Sequence, residues 1–286
     1  MITGDECWVT SRASLLVIFL GAAAQSFPQA PPPSVSPALF WDRRPLRVPL
    51  SCRTADLEAA FLQCSDEEPC RVFLELTAIE AVGPKILAVG NLHTSSATVS
   101  SIALLSEDAG TTWREPVARV PGAGLESVQF FNDLQGWIAV QPHGQFPHDP
   151  YLLATANGGK NWEPLRIWSE EGRYGLLQQF YFDSRERGWA LIDRSSEGFE
   201  LYETLNAGVS WMLKETSSRP ITPKWPARRS PDWRLRVDEK LRTYEVERRV
   251  GEAWRRMANF GSEVGECKTP EPVVIPAPAP PPPENP

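Results

Sequence analysis

Ser106-Glu-Asp108-Ala-Gly110-Thr-Thr112-Trp113, Thr155-Ala-Asn157-Gly-Gly159-Lys-Asn161-Trp162 and Thr204-Leu-Asn206-Ala-Gly208-Val-Ser210-Trp211 are three copies of one eight-residue pattern. Each runs Ser or Thr, any residue, Asp or Asn, any residue, Gly, any residue, a small polar residue, Trp. The tryptophans lie 49 residues apart and then 49 again. A repeat of about 40–50 residues is one small sheet per copy, stacked as a propeller or a similar array.

The composition of the pattern has a physical reason. Asp or Asn in a tight turn folds its side chain back onto nearby backbone N–H groups. Gly supplies the positive φ that other residues resist, and Trp anchors the hairpin on the apolar surface of its sheet. Such chemistry holds a turn and binds no substrate. Ahead of each copy stand apolar runs rich in β-formers. Ser127-Val-Gln-Phe-Phe-Asn-Asp133 leads to Gly136-Trp137-Ile-Ala-Val140, and Gln178-Gln-Phe-Tyr-Phe-Asp183 leads to Gly188-Trp189-Ala-Leu-Ile192; Lys85-Ile-Leu-Ala-Val-Gly90 is the first copy's version. They read as strands, so each repeat is strand A, turn, strand B, variable loop, strand C, motif turn, strand D.

The motif, Ser106/Asp108/Gly110/Thr112/Trp113 with Thr155/Asn157/Gly159/Trp162 and Thr204/Asn206/Gly208/Trp211, resembles the Asp-box, or BNR repeat, of β-propellers. Together with the Phe-x-Asp and Gly-Trp elements it is most similar to the photosystem II stability and assembly-factor family, and more distantly to sialidases and Vps10-type receptors. The resemblance covers about residues 72–215. It implies an all-β, propeller-like array of four-stranded antiparallel blades, and an assembly or stability role on a larger complex.

A fourth blade is expected from Trp233-Arg-Leu-Arg-Val-Asp238 and Thr243-Tyr-Glu-Val-Glu247, whose alternation suits half-buried strands. In it Arg249-Val-Gly251-Glu-Ala-Trp254 stands as a decayed motif with Arg249 in the Asp position. Residues 38–71 add a strand at Leu46-Arg-Val-Pro-Leu50 and a short helix. Thr54 is its expected cap, with Leu57, Phe61 and Cys64 on one face. The blades number four or five, in a closed ring or an open array.

The termini read differently. Residues 1–26 resemble a secretory signal, with an apolar run at 14–24 behind Arg12; an uncleaved anchor is the second reading, and the only membrane link expected. Residues 27–37 and 269–286 are proline-rich, a linker and a disordered tail, which leaves one folded domain at 38–268. Cys7 falls in the signal. Cys52, Cys64, Cys70 and Cys267 form an even set with three pairings. Cys64 and Cys70 are near enough to close a small loop, and Cys52 with Cys267 would then tie the first folded segment to the last. The chain reads as exported, periplasmic or secreted.

A net charge of −7 argues against nucleic-acid binding. From 219 to 256, however, twelve Arg and Lys face six Asp and Glu. Arg234, Arg236, Arg248 and Arg249 are the candidates for docking an acidic protein surface. The variable loops give a second set of contact candidates: His143, His148, Trp168, Arg173, Tyr174 and Arg194. On an irregular loop the spacing of His143 and His148 could hold a metal ion, but a polar, turn-rich connection is the expected reading, and neither metal nor cofactor is implied. No phosphate loop, nucleophile elbow or dinucleotide fingerprint is present, so a non-catalytic protein-binding scaffold is expected. The alternative is a sialidase-like or carbohydrate-binding propeller, because Leu46-Arg47-Val48-Pro49 resembles the aromatic-Arg-Ile-Pro motif of sialidases. That would make Arg47 a carboxylate-binding arginine with a Tyr–Glu nucleophile pair elsewhere. Nothing in their surroundings marks Tyr244 and Glu245 for that part.

Overall fold

The computed structural model describes residues 37–143, 149–167, 175–225 and 230–268. The expected signal segment, nearly all of the proline-rich linker and the tail lie outside these residues, as do His148, Trp168, Arg173 and Tyr174. No described helix is long and apolar enough to cross a membrane.

In chain order, β1 (Leu39–Phe40) and the helix α1 (Thr54–Ala59) precede β2 (Cys70–Val82), β3 (Lys85–His93), β4 (Thr98–Ser106) and β5 (Thr112–Trp113). The second repeat gives β6 (Ala123–Phe130), β7 (Gly136–Pro142), β8 (Tyr151–Thr155) and β9 (Glu163–Arg166). The third gives β10 (Leu176–Phe182), β11 (Gly188–Asp193), β12 (Phe199–Thr204) and β13 (Met212–Ser217). Then follow β14 (Trp233–Asp238), β15 (Thr243–Val250), β16 (Ala253–Gly261) and β17 (Glu263–Cys267).

These strands form three four-stranded sheets, one three-stranded sheet and a two-stranded ribbon. Blade 1 has the order β17-β2-β3-β4, blade 2 β6-β7-β8-β9, blade 3 β10-β11-β12-β13 and blade 4 β14-β15-β16. All the strand pairs are antiparallel. The last strand of the chain thus completes the first blade, with Cys267 opposite Cys70. The fourth strand of blade 1 is broken. Arg114 exchanges hydrogen bonds with Leu105, and Val120 accepts from Ser101, while β5 itself pairs with β1.

Three apolar clusters join the blades. Leu74, Leu76 and Ile86 meet Val246, Ala258 and Phe260 between blades 1 and 4. Leu87, Val89 and Leu105 meet Leu125, Ile138 and Val140 between blades 1 and 2. Trp137 and Leu152 meet Phe182, Ile192 and Tyr202 between blades 2 and 3, where the Trp137 and Phe182 rings stack at 3.7 Å. Among the described residues no cluster joins blades 3 and 4, so the cores run in the order 4-1-2-3. Two disulfides, Cys52–Cys267 and Cys64–Cys70, tie the first folded segment to the last strand and close a small loop. The long one spans 215 residues, and constraining a loop of that size stabilises by about 4–5 kcal/mol in the chain-entropy description.

The three motif copies make the same turn. The hydroxyl of Ser106, Thr155 or Thr204 accepts from the backbone N–H of Gly110, Gly159 or Gly208 at 2.8, 2.9 and 3.0 Å. It donates to the Asp108, Asn157 or Asn206 side chain, whose oxygen accepts from the N–H four residues on. A further backbone bond, Ala109 to Pro84, Gly158 to Leu134 and Ala207 to Glu186, hooks each turn onto the A–B turn of its own blade. The motif glycines have φ of 97, 85 and 93°, the left-handed region that glycine enters without penalty. Trp113 is buried with its indole N–H on Gly110, whereas Trp162 and Trp211 are only half-buried.

Four expectations change. The fourth motif is absent: Val250 pairs with Ala253 across a tight Gly251-Glu252 hairpin, so Trp254 lies inside β16. Without the Asp and the hydroxyl there is nothing to build the longer turn. Leu46 makes a single parallel bridge to Phe260, and residues 47–50 form no strand. The cap of α1 is Arg53, whose N–H groups the Asp56 carboxylate accepts, and Thr54 is the first helical residue. Phe61 lies beyond the helix end at φ 53° and is 54% exposed, while Leu57 and Cys64 are buried.

Three outcomes follow for stability. Trp113→Ala is expected to lose about 3–5 kcal/mol in urea unfolding, and Trp211→Ala distinctly less. Burial pushes the Asp108 carboxyl up, but bonds from Thr112, Ser106 and the Thr111 backbone outweigh it and hold the group below its usual range. A lowered folded value means stability that is present above the unfolded value, about 3.9, and is lost as pH falls toward the folded one. The stability gap between wild type and Asp108→Asn should therefore narrow in urea titrations taken from pH about 5 downward. Finally, a Cβ on Gly90 would overlap the Glu75 carbonyl oxygen, beside the shift in register between Leu76 and Ala78. Gly90→Ala should lower the melting temperature, whereas Gly83→Ala, which meets no atom but strains φ 60°, should cost less.

Candidate functional site: a cleft at the seam of blades 1 and 2

The motif turns and A–B turns share one end of the blades, so the B–C and D–A loops gather at the other. The side chains that β3 sends toward blade 2 are Leu87 and Val89, both fully buried, and then Asn91 and His93. The seam thus turns from apolar to polar as it nears the loop end. There it opens into a cleft of about 530 Å³. Glu75, Asn91 and His93 line it from blade 1, with the loop 94–98, Phe61 after α1, and His143 from the end of β7.

Local structure fixes each of these groups. Glu75 and Asn91 are cross-strand partners, and Asn91 Nδ2 donates to Glu75 Oε2 at 3.1 Å. Asn91 is 5% exposed, and among the described residues its Oδ1 has no hydrogen-bond partner. His93 Nδ1 lies 2.8 Å from the Thr94 carbonyl oxygen, so that nitrogen carries the hydrogen. The Thr94 hydroxyl is engaged in the loop, accepting from the N–H of Ser96 and Ala97. Across the seam, His143 Nε2 stands 3.5 Å from Glu126 Oε1. Both lie over Gly124, where a Cβ would be 2.7 Å from Glu126 Oε1 and 3.2 Å from His143 Nε2. Phe61 occupies the C′ position of a helix stop, with Leu62 donating to Leu57 and Phe61 to Glu58. Glycine is usual there, and a non-glycine residue pays about 1–2 kcal/mol for that backbone.

Of the residues singled out in the sequence, His143 is in this cleft. Arg194 is not. It is 3% exposed in the third repeat, with Nε on Glu200 Oε2 at 2.7 Å and Nη1 3.5 Å from Asp149. Burial, and then the bond to Glu200, pushes the Tyr202 hydroxyl up in the same group.

Three of the four candidate arginines of blade 4 are paired with acids of their own blade. Arg234 pairs with Glu247 at 2.6 Å, Arg249 with Asp232 at 2.8 Å, and Arg236 with Glu245, Glu247 and Asp238. Arg248 lies over the Trp233 ring. The cross-strand register sets Arg234 opposite Glu247 and Arg236 opposite Glu245, so the excess of cations counted along the chain does not stand as a free cationic stripe. The glycosidase residues do not assemble either. Tyr244 and Glu245 are neighbours on β15 and face opposite sides of the sheet. Glu245 is fully buried and held by Arg236 and Arg256, while Arg47 is exposed. Among the described residues no group of three His, Cys, Asp or Glu is placed to hold a metal ion.

Glu75, Asn91, Glu126 and Phe61 were missed by the sequence reading. A signal for Asn91 existed, since a polar residue ends the apolar run of strand B in each repeat. Its unsatisfied oxygen becomes visible only when the next blade is in place.

No protein-family model matches the chain, and no curated protein does. Among solved structures it is similar to YCF48 bound to D1 peptide, at 17% identity and a TM-score of 0.36, over 68% of this chain and 55% of that one. It is likewise similar to YCF48 from Cyanidioschyzon merolae, at 17% identity and a TM-score of 0.36, over 63% and 55%. The chain therefore spans about half the length of these solved relatives.

Proposed function

We propose that this chain is an exported, non-catalytic module that docks another protein on the cleft between blades 1 and 2, as a scaffold in assembly. The observation that carries the reading is the change of the seam from Leu87 and Val89 to Asn91 and His93, which opens a polar cleft on a rigid base. Recognition sites are commonly built from loops held by such a scaffold. Glu245 and Glu200 are buried carboxylates each tied to arginine, and committed ion pairs of that kind make poor acids and bases. Two disulfides fit an oxidising setting.

The test is photo-crosslinking of full-length chain in native extract, with the photoreactive residue at Thr98 in the cleft or at Val237 on blade 4. Adducts confined to the Thr98 probe, and competed by unlabelled chain, are expected. Adducts from both probes alike, or turnover of a sialoside lost on Arg47→Ala, would refute it.

A further inference from the structure

The repeat supplies an internal control for the cleft. Ile86, Gly136 and Gly188 stand opposite the motif hydroxyl residues Ser106, Thr155 and Thr204. Counting five residues on, Asn91, Gln141 and Asp193 are equivalent positions. At the next seam Gln141 is satisfied by the following blade: its Nε2 donates to the Gly175 carbonyl at 3.3 Å, and its Oε1 accepts from Leu177 N–H at 3.2 Å. That amide bridges the two blades and closes the gap at its level. Asn91 is one methylene shorter. It turns to Glu75 on its own blade, and blade 1 reaches blade 2 nearby through the Thr77 hydroxyl, which donates to the Leu125 carbonyl at 2.6 Å. Asn91 Oδ1 is left buried and without a donor among the described residues.

We infer that the cleft receives an arginine side chain of the partner polypeptide, whose guanidinium supplies a donor to the unpaired Asn91 Oδ1 and a counter-charge to Glu75. This rests on the docking reading above. Glu75 is an exposed carboxylate of the lining, and Asn91 Oδ1 is a buried acceptor on the neighbouring strand. Among the described residues no Lys or Arg lines the cleft. A buried acceptor without a donor is costly, and a charged donor repays it best. Guanidinium presents five N–H groups in a planar fork and stacks on aromatic faces. Phe61 is the aromatic face at the rim, exposed and held in a backbone conformation that favours glycine. An ammonium is a smaller, more strongly hydrated charge and fits separated acceptors less well. The volume exceeds one side chain, which leaves room for the flanking peptide.

The probe is the capped tripeptide acetyl-Gly-Arg-Gly-amide, titrated into full-length ¹⁵N-labelled chain. Controls are the same peptide with citrulline, the same with Glu, and spermidine. The Arg peptide is expected to move the Asn91 side-chain amide and residues 93–98 saturably, with the citrulline and Glu peptides silent. Glu75→Gln should weaken binding about tenfold, as loss of a charge-assisted bond does. Asn91→Asp, which adds a second carboxylate, should strengthen it, and Glu252→Gln on blade 4 should change nothing. Equal shifts from citrulline, shifts from the Glu peptide, or no shift at Asn91 would overturn the inference. Binding by spermidine as tight as by the Arg peptide would overturn it in favour of a free polyamine. If Thr98 crosslinking still finds a protein while the Arg peptide leaves Asn91 unmoved, docking stands and the arginine assignment fails. Failure of both removes both.

Discussion

A small antiparallel sheet has two faces, and water cannot be kept from both unless each face meets something. Stacked sheets solve this for one another, but four sheets joined by three apolar seams leave two faces over. Those two are handled in opposite ways here. Blade 4 turns outward a lattice of Arg234, Arg236 and Arg256 with Glu245 and Glu247, in which every cross-strand pair is of opposite sign or satisfied by a third group. Blade 3 turns outward Tyr181, Trp189 and Glu203, which are cross-strand neighbours. Trp225 from the connection to blade 4 stacks on Tyr181, and Arg187 lies over Trp189 while pairing with Glu203. The solutions share a principle: charge is placed where an apolar face would otherwise invite a stranger.

The seams themselves are held by polar side chains used as if they were backbone. Gln129 donates to and accepts from the Phe182 peptide at 2.8 Å each way, and Gln141 does the same for Gly175 and Leu177 one level up. Lys85 places its ammonium on the carbonyls of Asp133 and Gly158. Buried polar bridges of this kind fix register more firmly than apolar contact does, because a slip leaves both partners without bonds. Seen against these, Asn91 puts only half of its amide to use.

Much of the fold was legible because the repeat states it three times. A turn requiring a hydroxyl, a carboxyl or amide and a glycine at fixed spacing has few alternatives, and the strands on either side follow from alternation. Reading failed where a residue's role depends on a neighbour distant in sequence. Arg234, Arg236 and Arg249 looked like a surplus of charge because Glu245, Glu247 and Asp232 come into range only through the β14–β15 register. Arg249 also looked like a degraded motif, whereas the hairpin at Gly251 does away with the motif altogether. Leu46 was read as part of a strand, although one backbone bridge to Phe260 is all it forms. For the cleft, the residues that matter sit on β2, β3 and β6 and after α1, and no local pattern links them.

The pairing of β17 with β2 has a bearing on how the molecule comes into being. During synthesis the N-terminal sheet emerges first and lacks its edge partner until nearly two hundred further residues have followed. Through that interval β2 offers an unpaired ladder to any passing strand, and contacts so remote in sequence form slowly. Blade 1 is therefore the first to appear and the last to be finished.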